Sequence, residues 1–533
     1  MIRRSTSPVP TNIEPTDPSQ LRAPLSRIWI AALVAVGFAV RCVPAWHNFL
    51  NPDEVWHYLL AHADSFPAAY RASLTTAHPP LYLLMLHAWA LMGHSEFWLR
   101  TPSLLAGTAA CWVTFLWLRL VASDRAAVTG LILLLLTPPM IDLSSEVRQY
   151  GLLLLGCAAA LYLFELAAIH DSASRMAASA VALWIALLTH YSALLFAPAL
   201  GIYSLLRFAR RRPRPATLAT WLAGQILGVG LGVLLFSTHI RNLRTSGLPQ
   251  QIAETWLRRS IFHPGRDHVL RFLGGNTIRL FRFTFSHGTI GVIALLVFCF
   301  GLTILLRRTL PSGPAVAVRV LLTFVLIIVS GLAGIYPYGG TRHDVLLAWL
   351  AVIAISVGLA AVKLDWHLYF GTVLIVLLIC NLFPSPPPPF IRFRNQDRRW
   401  MTDAVHSLRQ QVPPGATLLT DYEGGLLLSY YLCDEVAVDL SALRHGFATH
   451  PCDSYRLLAP HQDLFIFDTS NYREALAQVN GSLPAAAPDM WLFQAGWIDS
   501  GATGLRVKLP AFGCSQPQLF GENIYLCRLQ PSP

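Results

Sequence analysis

AAVTGLILLLLTPPMIDL, residues Ala126–Leu143, is the stretch that decides the fold class. Its run Leu131–Leu136 does not alternate between apolar and polar side chains, which favours a helix over a strand. A helix needs about 20 predominantly apolar residues to cross a bilayer, and many stretches of this chain approach that length. Because only helices and closed barrels satisfy their backbone polar groups in lipid, we predict a polytopic α-helical membrane protein.

The composition agrees with this class. Of the 533 residues, 54% are hydrophobic and 13% are charged, whereas about a quarter of a soluble protein is charged. The net charge of +11 is unevenly distributed: the chain from residue 391 onward has 11 basic and 14 acidic residues, and the part before it has 29 basic and 15 acidic residues. The basic residues of that first part lie largely in short loops. We therefore expect membrane lipids, and not nucleic acid, as partners.

About eleven spans and one short helix are predicted before residue 385. Pro80–Met92 is apolar but too short to cross, so it is predicted to be a re-entrant or interfacial helix. If it does not span, the N-terminus and the arginine run at residues 207–214 both face the cytoplasm, as the positive-inside rule prefers. The predicted spans are Arg27–Val43, Phe97–Val121, Ala126–Leu143, Tyr150–His170, Ala177–His190, Ser192–Leu206, Thr217–Phe236, Thr289–Leu306, Val316–Ile335, His343–Val362 and Trp366–Pro384.

Composition divides the chain into four parts. Residues 1–26 are polar, Pro-rich and basic, and are predicted to be a disordered cytoplasmic tail. Residues 27–384 form the membrane domain, and a Pro-rich hinge follows at 385–390. Residues 391–533 have a soluble composition, in which Thr417–Asp421 and Asp463–Asp468 are predicted strands, each followed by a helix. We predict a small α/β domain on the extracytoplasmic face.

Cysteine usage fits this placement. Four of the nine cysteines lie in the C-terminal domain and five lie in or beside spans. In an oxidising compartment the four can form two disulfides, with three alternative pairings; four reduced core thiols are the other interpretation. Their spacing is unlike that of a zinc site. The four are Cys433, Cys452, Cys514 and Cys527.

Three carboxylates stand out in the predicted outer loops. Asp53 and Glu54 follow the first span, and Glu146 lies four residues before Tyr150, a spacing that would place the two on one helix face. The plain interpretation is a pair of polar loops, with a proline pair that starts the short helix. Ionisable groups at the membrane face are functional candidates by default, so all three are candidate catalytic residues.

An arginine-rich segment also lies outside in this topology. Ser237–Gly288 contains eight arginines against Glu254 and Asp267. It is either a long loop that lies on lipid headgroups or a binding site for the phosphate of the donor. Arg258 and Arg259 are examples of residues that would form such a phosphate-binding site, because guanidinium binds phosphate through two hydrogen bonds.

Taken in order, the motifs resemble those of the GT-C glycosyltransferases. The resemblance is to the dolichyl-phosphate-mannose protein mannosyltransferase and lipid A aminoarabinose transferase kind, whose bacterial members carry an RgtA/B/C/D-like domain, and it covers residues 27–361. The motifs are Asp53-Glu54, His78-Pro79-Pro80-Leu81-Tyr82, Glu-Phe-x-x-Arg-x-Pro-Ser at Glu96–Ser103, Glu-x-Arg-x-Tyr at Glu146–Tyr150, and His190-Tyr191.

The resemblance implies a GT-C-like fold, a polyprenyl-phosphate sugar as donor, and a lipid, glycan or protein as acceptor. It implies an extracytoplasmic active site on a bacterial inner membrane, with Asp53 as the base, Glu54 as its neighbour in the motif and Glu146 as the second acidic position. Arg342 matches the arginine of a family Arg-Tyr pair, in which His343 replaces the tyrosine. The predicted substrate-binding residues are His78, Arg148, Tyr150, His190, Tyr191, Arg258, Arg259 and Arg342.

The chemistry of sugar transfer explains why such residues are needed. A carboxylate that deprotonates the acceptor hydroxyl contributes about 10²–10⁴-fold, and arginines stabilise the departing phosphate. Direct displacement, which the single base and the family imply, inverts the anomeric centre. Asp53, Glu54 and Glu146 also have the oxygen ligands that Mg²⁺ or Mn²⁺ prefers, and the family includes metal-dependent and metal-independent members.

Two other functions compete with the enzyme. A transporter or flippase for lipid-linked saccharides would have broken helices and charges near the midplane, often in two related halves; the acids of this chain cluster in outer loops instead. A non-catalytic envelope assembly protein would tolerate the loss of Asp53 and Glu146.

Overall fold

The computed structural model describes residues 27–254, 256–307, 310, 312–385, 396–433, 447–460, 490–496, 514–521 and 523–529. The predicted N-terminal tail, hinge residues 386–390, and the strand and helix predicted between residues 463 and 479 lie outside these ranges.

The chain is an integral membrane protein. In the part that the structure describes, eight helices are long and apolar enough to cross a bilayer. Each predicted span coincides with a helix or, at Ala126–Leu143, with two. The three predicted spans outside these eight have their main helices at Asp124–Leu136, Ala173–Thr189 and Trp366–Leu382, with 13, 17 and 17 residues, whereas Val345–Ala360, with 16 residues, is counted together with the 3₁₀ turn Arg342–Asp344 before it. The helices of the membrane domain are α1 Arg27–His47, α2 Pro52–Ala61, α3 Phe66–Ser73, α4 Leu81–Ala90, α5 Glu96–Val121, α6 Asp124–Leu136, α7 Pro138–Asp142, α8 Tyr150–His170, α9 Ala173–Thr189, α10 Ala193–Arg210, α11 Pro215–Leu235, α12 Arg241–Thr245, α13 Leu248–Glu254, α14 Val269–Phe285, α15 Gly288–Leu306, α16 Gly313–Leu332, α17 Val345–Ala360 and α18 Trp366–Leu382.

A break in the sixth helix separates the predicted span Ala126–Leu143 into α6 and α7. The carbonyls of Leu134 and Leu135 would accept hydrogen bonds from positions 138 and 139, which are prolines without an N–H. Arg41 of α1, fully buried, replaces both donors: its guanidinium donates to the carbonyl of Leu135 at 2.8 Å and to that of Leu134 at 2.9 Å. The buried arginine thus satisfies backbone groups that lipid cannot.

The segment Ser237–Gly288, predicted to be one long loop, is largely helical. Helix α11 continues through a π-helical turn, Phe236–Ile240, into α12, and α13 and α14 follow. The prediction failed because arginines interrupt the apolar pattern while leaving the helical backbone unaffected, arginine being a good helix former.

The described part of the C-terminal domain contains two helices and a six-stranded sheet, which confirms the predicted α/β class. The strand order is β2-β3-β1-β4-β6-β5, with β1 parallel to β3 and β4 and the remaining pairs antiparallel. Disulfides join Cys433 to Cys452 and Cys514 to Cys527. The elements are α19 Arg398–Gln411, β1 Thr417–Thr420, α20 Tyr422–Tyr431, β2 Phe447–Cys452, β3 Tyr455–Pro460, β4 Met490–Gln494, β5 Cys514–Phe520 and β6 Ile524–Leu529.

Two apolar cores hold these parts together. One lies among the membrane helices. The other is shared between the domains, because Val55 and Leu59 of α2 and Leu83 of α4 belong to the same buried cluster as Leu427 of α20. The C-terminal domain therefore packs directly against the short helices that follow the first span.

Candidate active site

The start of α2 holds the first acidic motif in a defined geometry. Asn51 and Glu54 form a capping box: the Asn51 side chain accepts from the Glu54 N–H at 3.0 Å, and the Glu54 carboxylate accepts from the Asn51 N–H at 2.9 Å. Pro52 occupies the first helical position, where its fixed φ suits the helix. Asp53 therefore sits in the first turn, where the helix dipole favours a carboxylate.

Two arginines from distant parts of the chain contact Asp53. The Nη1 atoms of Arg342 and Arg148 both face Oδ2 of Asp53; the first is in direct ion-pair contact, and the second is 3.4 Å away. Burial by itself raises the pKa of Asp53, but the charges of the two arginines outweigh it and lower that pKa to about 2. Asp53 is ionised at neutral pH.

Arg148 is a buried residue of the site. Its guanidinium donates to the Tyr150 hydroxyl at 3.4 Å and lies 5.6 Å from the centre of the Tyr150 ring. Its own carbonyl accepts from the Ser103 hydroxyl at 2.8 Å, and Ser103 in turn bonds Tyr82 at 2.9 Å. The start of α5 and the second residue of α4 thus fix the position of Arg148.

Glu54, predicted to be catalytic, has a different position from Asp53. It is fully buried, and Arg100 of α5 binds both of its oxygens, at 2.8 and 2.7 Å. The N–H of Val147 donates to the same carboxylate at 2.8 Å. These donors occupy both oxygens, so Glu54 holds the two loops together, and its catalytic role stays a prediction.

Glu146 lies in an irregular segment before α8, and not on the helix face with Tyr150 that the spacing suggested. Its Oε2 is buried and has no hydrogen-bond partner in the described part of the chain. Burial and the nearby charge of Glu54 raise the pKa of Glu146 to about 8, against the opposing influence of Arg342 and Arg148. Two carboxyls that are near the same two arginines therefore differ in protonation at neutral pH.

Comparisons with known proteins identify the fold that carries these residues. Residues 77–240 match the family model described as dolichyl-phosphate-mannose-protein mannosyltransferase. The structure is similar to the crystal structure of ArnT from Cupriavidus metallidurans bound to undecaprenyl phosphate, with a TM-score of 0.56 and 14% identity over 95% of this chain and 100% of that one. The chain has the GT-C glycosyltransferase fold.

A second structure gives the same result. ArnT from Cupriavidus metallidurans in the apo state matches with a TM-score of 0.54 and 14% identity, over 95% of this chain and 99% of that one. No curated protein sequence matches the chain. The comparison confirms the GT-C-like fold that the ordered motifs implied.

A row of four histidines crosses the site of this GT-C fold. Neighbouring ring centres are 5.9 Å apart between His57 and His78, 5.4 Å between His78 and His190, and 6.3 Å between His190 and His343. Burial, followed by the charge of Arg148, lowers the pKa of His57 and of His190 to about 3. These imidazoles are therefore neutral at pH 7, with one donor and one acceptor each.

The sequence reasoning found only half of this row. His78 and His190 are among the predicted substrate-binding residues, whereas His57 is not among them and His343 enters only as a departure from the family pattern. His57 follows Asp53 by four residues, and on a helix that spacing places both on one face. The helix start at Asn51-Pro52 is the signal that could have identified it.

Three other predicted residues lie elsewhere. The Tyr191 hydroxyl bonds His239, whose other ring nitrogen bonds the carbonyl of Thr76 at 2.7 Å. Arg258 and Arg259 are exposed. The two arginines that Asp53 contacts are Arg148 and Arg342, so the predicted phosphate-binding residues Arg258 and Arg259 are not part of this cluster.

The three carboxylates make separate contacts. The oxygens of Glu54 are bound by Arg100 and Val147, and Asp53 faces two cations, which leaves Glu146 alone. Within the described ranges, no three His, Cys, Asp or Glu side chains are grouped to hold a metal ion. We therefore assign no step to Mg²⁺ or Mn²⁺, and metal dependence stays open to the test given below.

Proposed function

We propose that the protein transfers a sugar from a polyprenyl-phosphate donor to a lipid, glycan or protein acceptor, with Asp53 as the base. The observation that carries the proposal is the pair of arginines, Arg148 and Arg342, that meet at the Asp53 carboxylate at the ends of membrane helices. Two guanidiniums beside a lipid boundary suit a lipid phosphate. The undecaprenyl phosphate in the similar ArnT structure supports the same class of donor.

The charges of the loops support an extracytoplasmic site on a bacterial inner membrane. Basic residues occur in the connections at the opposite ends of the helices from Asp53, as the positive-inside rule requires of cytoplasmic loops. The disulfides of the C-terminal domain fit an oxidising compartment. The basic residues are Arg125, Arg175, Arg207, Arg210, Arg211, Arg212, Arg214, Arg307 and Lys363.

Donor binding activates the base in this mechanism. While Arg148 and Arg342 hold Asp53, its pKa of about 2 makes it a weak base. A donor phosphate competes for the same guanidiniums, and any charge that it neutralises no longer lowers the pKa of Asp53. Asp53 therefore gains proton affinity when the donor is in place.

Glu146 supplies a neutral carboxyl to the same site. An ionised carboxylate beside the donor phosphate would repel it, whereas a protonated one donates a hydrogen bond. The raised pKa of Glu146 keeps it protonated at neutral pH. Environments that push two carboxyl pKa values apart are typical of sites in which the two groups have different roles.

The transfer step then follows. The acceptor oxygen attacks the anomeric carbon while the bond from that carbon to the phosphate oxygen breaks, which inverts the configuration. The acceptor proton passes to Asp53, and the bonding electron pair leaves with the lipid phosphate, which Arg148 and Arg342 stabilise. The neutral histidines offer donors and acceptors to the sugar hydroxyls.

The test is transfer by the purified protein in lipid nanodiscs, with a panel of polyprenyl-phosphate sugars and extracted envelope lipids and glycans as acceptors. The wild type is expected to transfer one of the sugars, and Asp53→Asn to reduce the rate by about 10²-fold or more while the fold is retained. Full activity of Asp53→Asn would reject Asp53 as the base. Flux of the intact donor across the membrane without transfer would favour the transporter.

A further inference from the structure

The hydroxyl of Tyr431, in the C-terminal domain, forms a hydrogen bond with the loop before Asp53. Tyr431, the last residue of α20, accepts a hydrogen bond from the N–H of Leu50 at 2.7 Å and donates one to the Glu96 carboxylate. Leu50 is fully buried, and a buried N–H without a partner is costly. The Tyr431 hydroxyl therefore fixes the backbone at this point.

A second residue of the C-terminal domain binds the same carboxylate. The Nε of Arg398, the first residue of α19, lies 2.9 Å from Oε2 of Glu96. The backbones also pair nearby, where the N–H of Phe49 donates to the carbonyl of Gln396 at 2.9 Å. Two of these contacts, at Phe49 and Leu50, join the soluble domain to the chain that leads into α2, and the other two join it to Glu96 at the start of α5.

Leu50 and Glu96, the two residues that the C-terminal domain contacts, are both connected to Asp53. Leu50 precedes the helix cap Asn51 and lies three residues before Asp53. Glu96 lies four residues before Arg100, on the same face of α5, and Arg100 binds Glu54. A displacement at Tyr431 is therefore transmitted to Asp53 along the backbone and through the Arg100–Glu54 pair.

We propose that the C-terminal domain is a positioning element of the transferase, and that Tyr431 is the positioning residue that sets the place of Asp53. The role rests on the proposed function, in which Asp53 takes the acceptor proton. Such a role affects the rate of transfer and leaves donor affinity intact, because the Tyr431 hydroxyl bonds Leu50 and Glu96 and not the proposed phosphate-binding pair Arg148 and Arg342.

Tyr430 provides a matched control on the same helix. Its hydroxyl donates to the carbonyl of His94 at 2.6 Å, and its ring packs edge-on against Tyr58, 5.2 Å between centres. Tyr430→Phe therefore removes one hydroxyl, as Tyr431→Phe does, but it breaks one interdomain hydrogen bond instead of two and leaves the N–H of Leu50 paired.

The experiment compares Tyr431→Phe and Tyr430→Phe with the wild type in nanodiscs, by amide hydrogen exchange and by kinetics. In Tyr431→Phe we expect exchange at Leu50 to rise roughly tenfold and kcat to fall roughly tenfold, because a small misplacement of a reacting group is costly. KM for the donor should stay within about twofold. Tyr430→Phe should leave both Leu50 exchange and kcat near the wild-type values.

Three results would overturn the proposal: unchanged exchange at Leu50 in Tyr431→Phe, faster exchange with unchanged kcat, or equal losses of kcat in the two variants. If the wild type transfers no sugar, the proposed function fails, and the exchange comparison still decides whether Tyr431 anchors the loop. Arg398→Gln, which removes the second tie to Glu96 without altering α20, should lower kcat in the same direction.

Discussion

The carboxylate of Glu54 accepts a hydrogen bond from the backbone N–H of Val147 at 2.8 Å, across 93 positions of the chain. Val147 lies between Glu146 and Arg148, so this bond fixes the segment that carries two residues of the site. Glu54 itself follows Asp53. The two acidic motifs are therefore held together by the Glu54 carboxylate, which Arg100 and the N–H of Val147 bind.

Glu54→Gln is expected to destabilise the protein strongly. The substitution removes the counter-charge of Arg100, which is buried, and breaking one partner of a buried ion pair costs about 3–5 kcal/mol. Unfolding in detergent, followed by tryptophan fluorescence, measures the loss. Glu146→Gln serves as the control, since its Oε2 has no partner in the described part of the chain, and near pH 5, where ionisation of Glu146 has little effect, it should unfold near the wild type. Equal stability of Glu54→Gln and wild type would contradict the structural role.

Asp53→Asn is expected to bind polyprenyl phosphate more tightly than the wild type, although it should not transfer sugar. Removing the carboxylate leaves Arg148 and Arg342 without the anion that competes with the phosphate, and a gain of about 1.4 kcal/mol would be tenfold in Kd. Binding of undecaprenyl phosphate in nanodiscs, measured by thermal shift or fluorescence titration, gives the sign directly. Arg342→Gln should weaken binding in the same assay. Weaker binding by Asp53→Asn would argue against competition between the carboxylate and the phosphate.

We expect the ionisation of Glu146 to lower both the stability of the protein and the rate of transfer as the pH becomes alkaline. Its folded-state pKa is raised, to about 8, so the folded protein keeps a proton that the unfolded chain loses near the ordinary pKa of 4.5. This contribution to stability is fully present below the unfolded pKa and decreases as the pH rises towards the folded pKa. Transfer should also decline as the pH passes about 8, because the ionised carboxylate repels the donor phosphate.

Glu146→Gln separates this effect from other titrations. The amide cannot ionise, so the variant should lose less stability than the wild type between pH 5 and pH 9 and should keep its transfer rate at the alkaline end. The two quantities are read from unfolding midpoints and from initial rates in the same buffers. If the variant and the wild type show parallel pH profiles, Glu146 is not the titrating group.

Length and periodicity were sufficient to predict the membrane helices, because both are local properties. The sequence does not reveal in this way that Asp53 and Glu54 have different surroundings, because the two residues are adjacent and chemically alike. Their difference arises from Arg100, 46 positions away from Glu54, and from Arg148 and Arg342, which converge on Asp53. The Asn51-x-x-Glu54 pattern was the one local sign, since it is typical of a capping box, whose acid bonds its own helix start.

Removal of divalent metal is expected to leave transfer unchanged. The carboxylates that would bind Mg²⁺ or Mn²⁺ are separated by their partners: Glu54 is bound by Arg100, and Asp53 faces Arg148 and Arg342. A cation placed beside Asp53 would meet two guanidiniums, and at neutral pH Glu146 is protonated and offers a poor ligand. Transfer is measured after dialysis against EDTA and again after adding Mg²⁺ or Mn²⁺. Transfer that is lost after dialysis and recovered on adding either metal would contradict this prediction. It would show that donor binding moves Arg148 and Arg342 enough to open a metal site, and that the cation, and not these arginines, stabilises the phosphate.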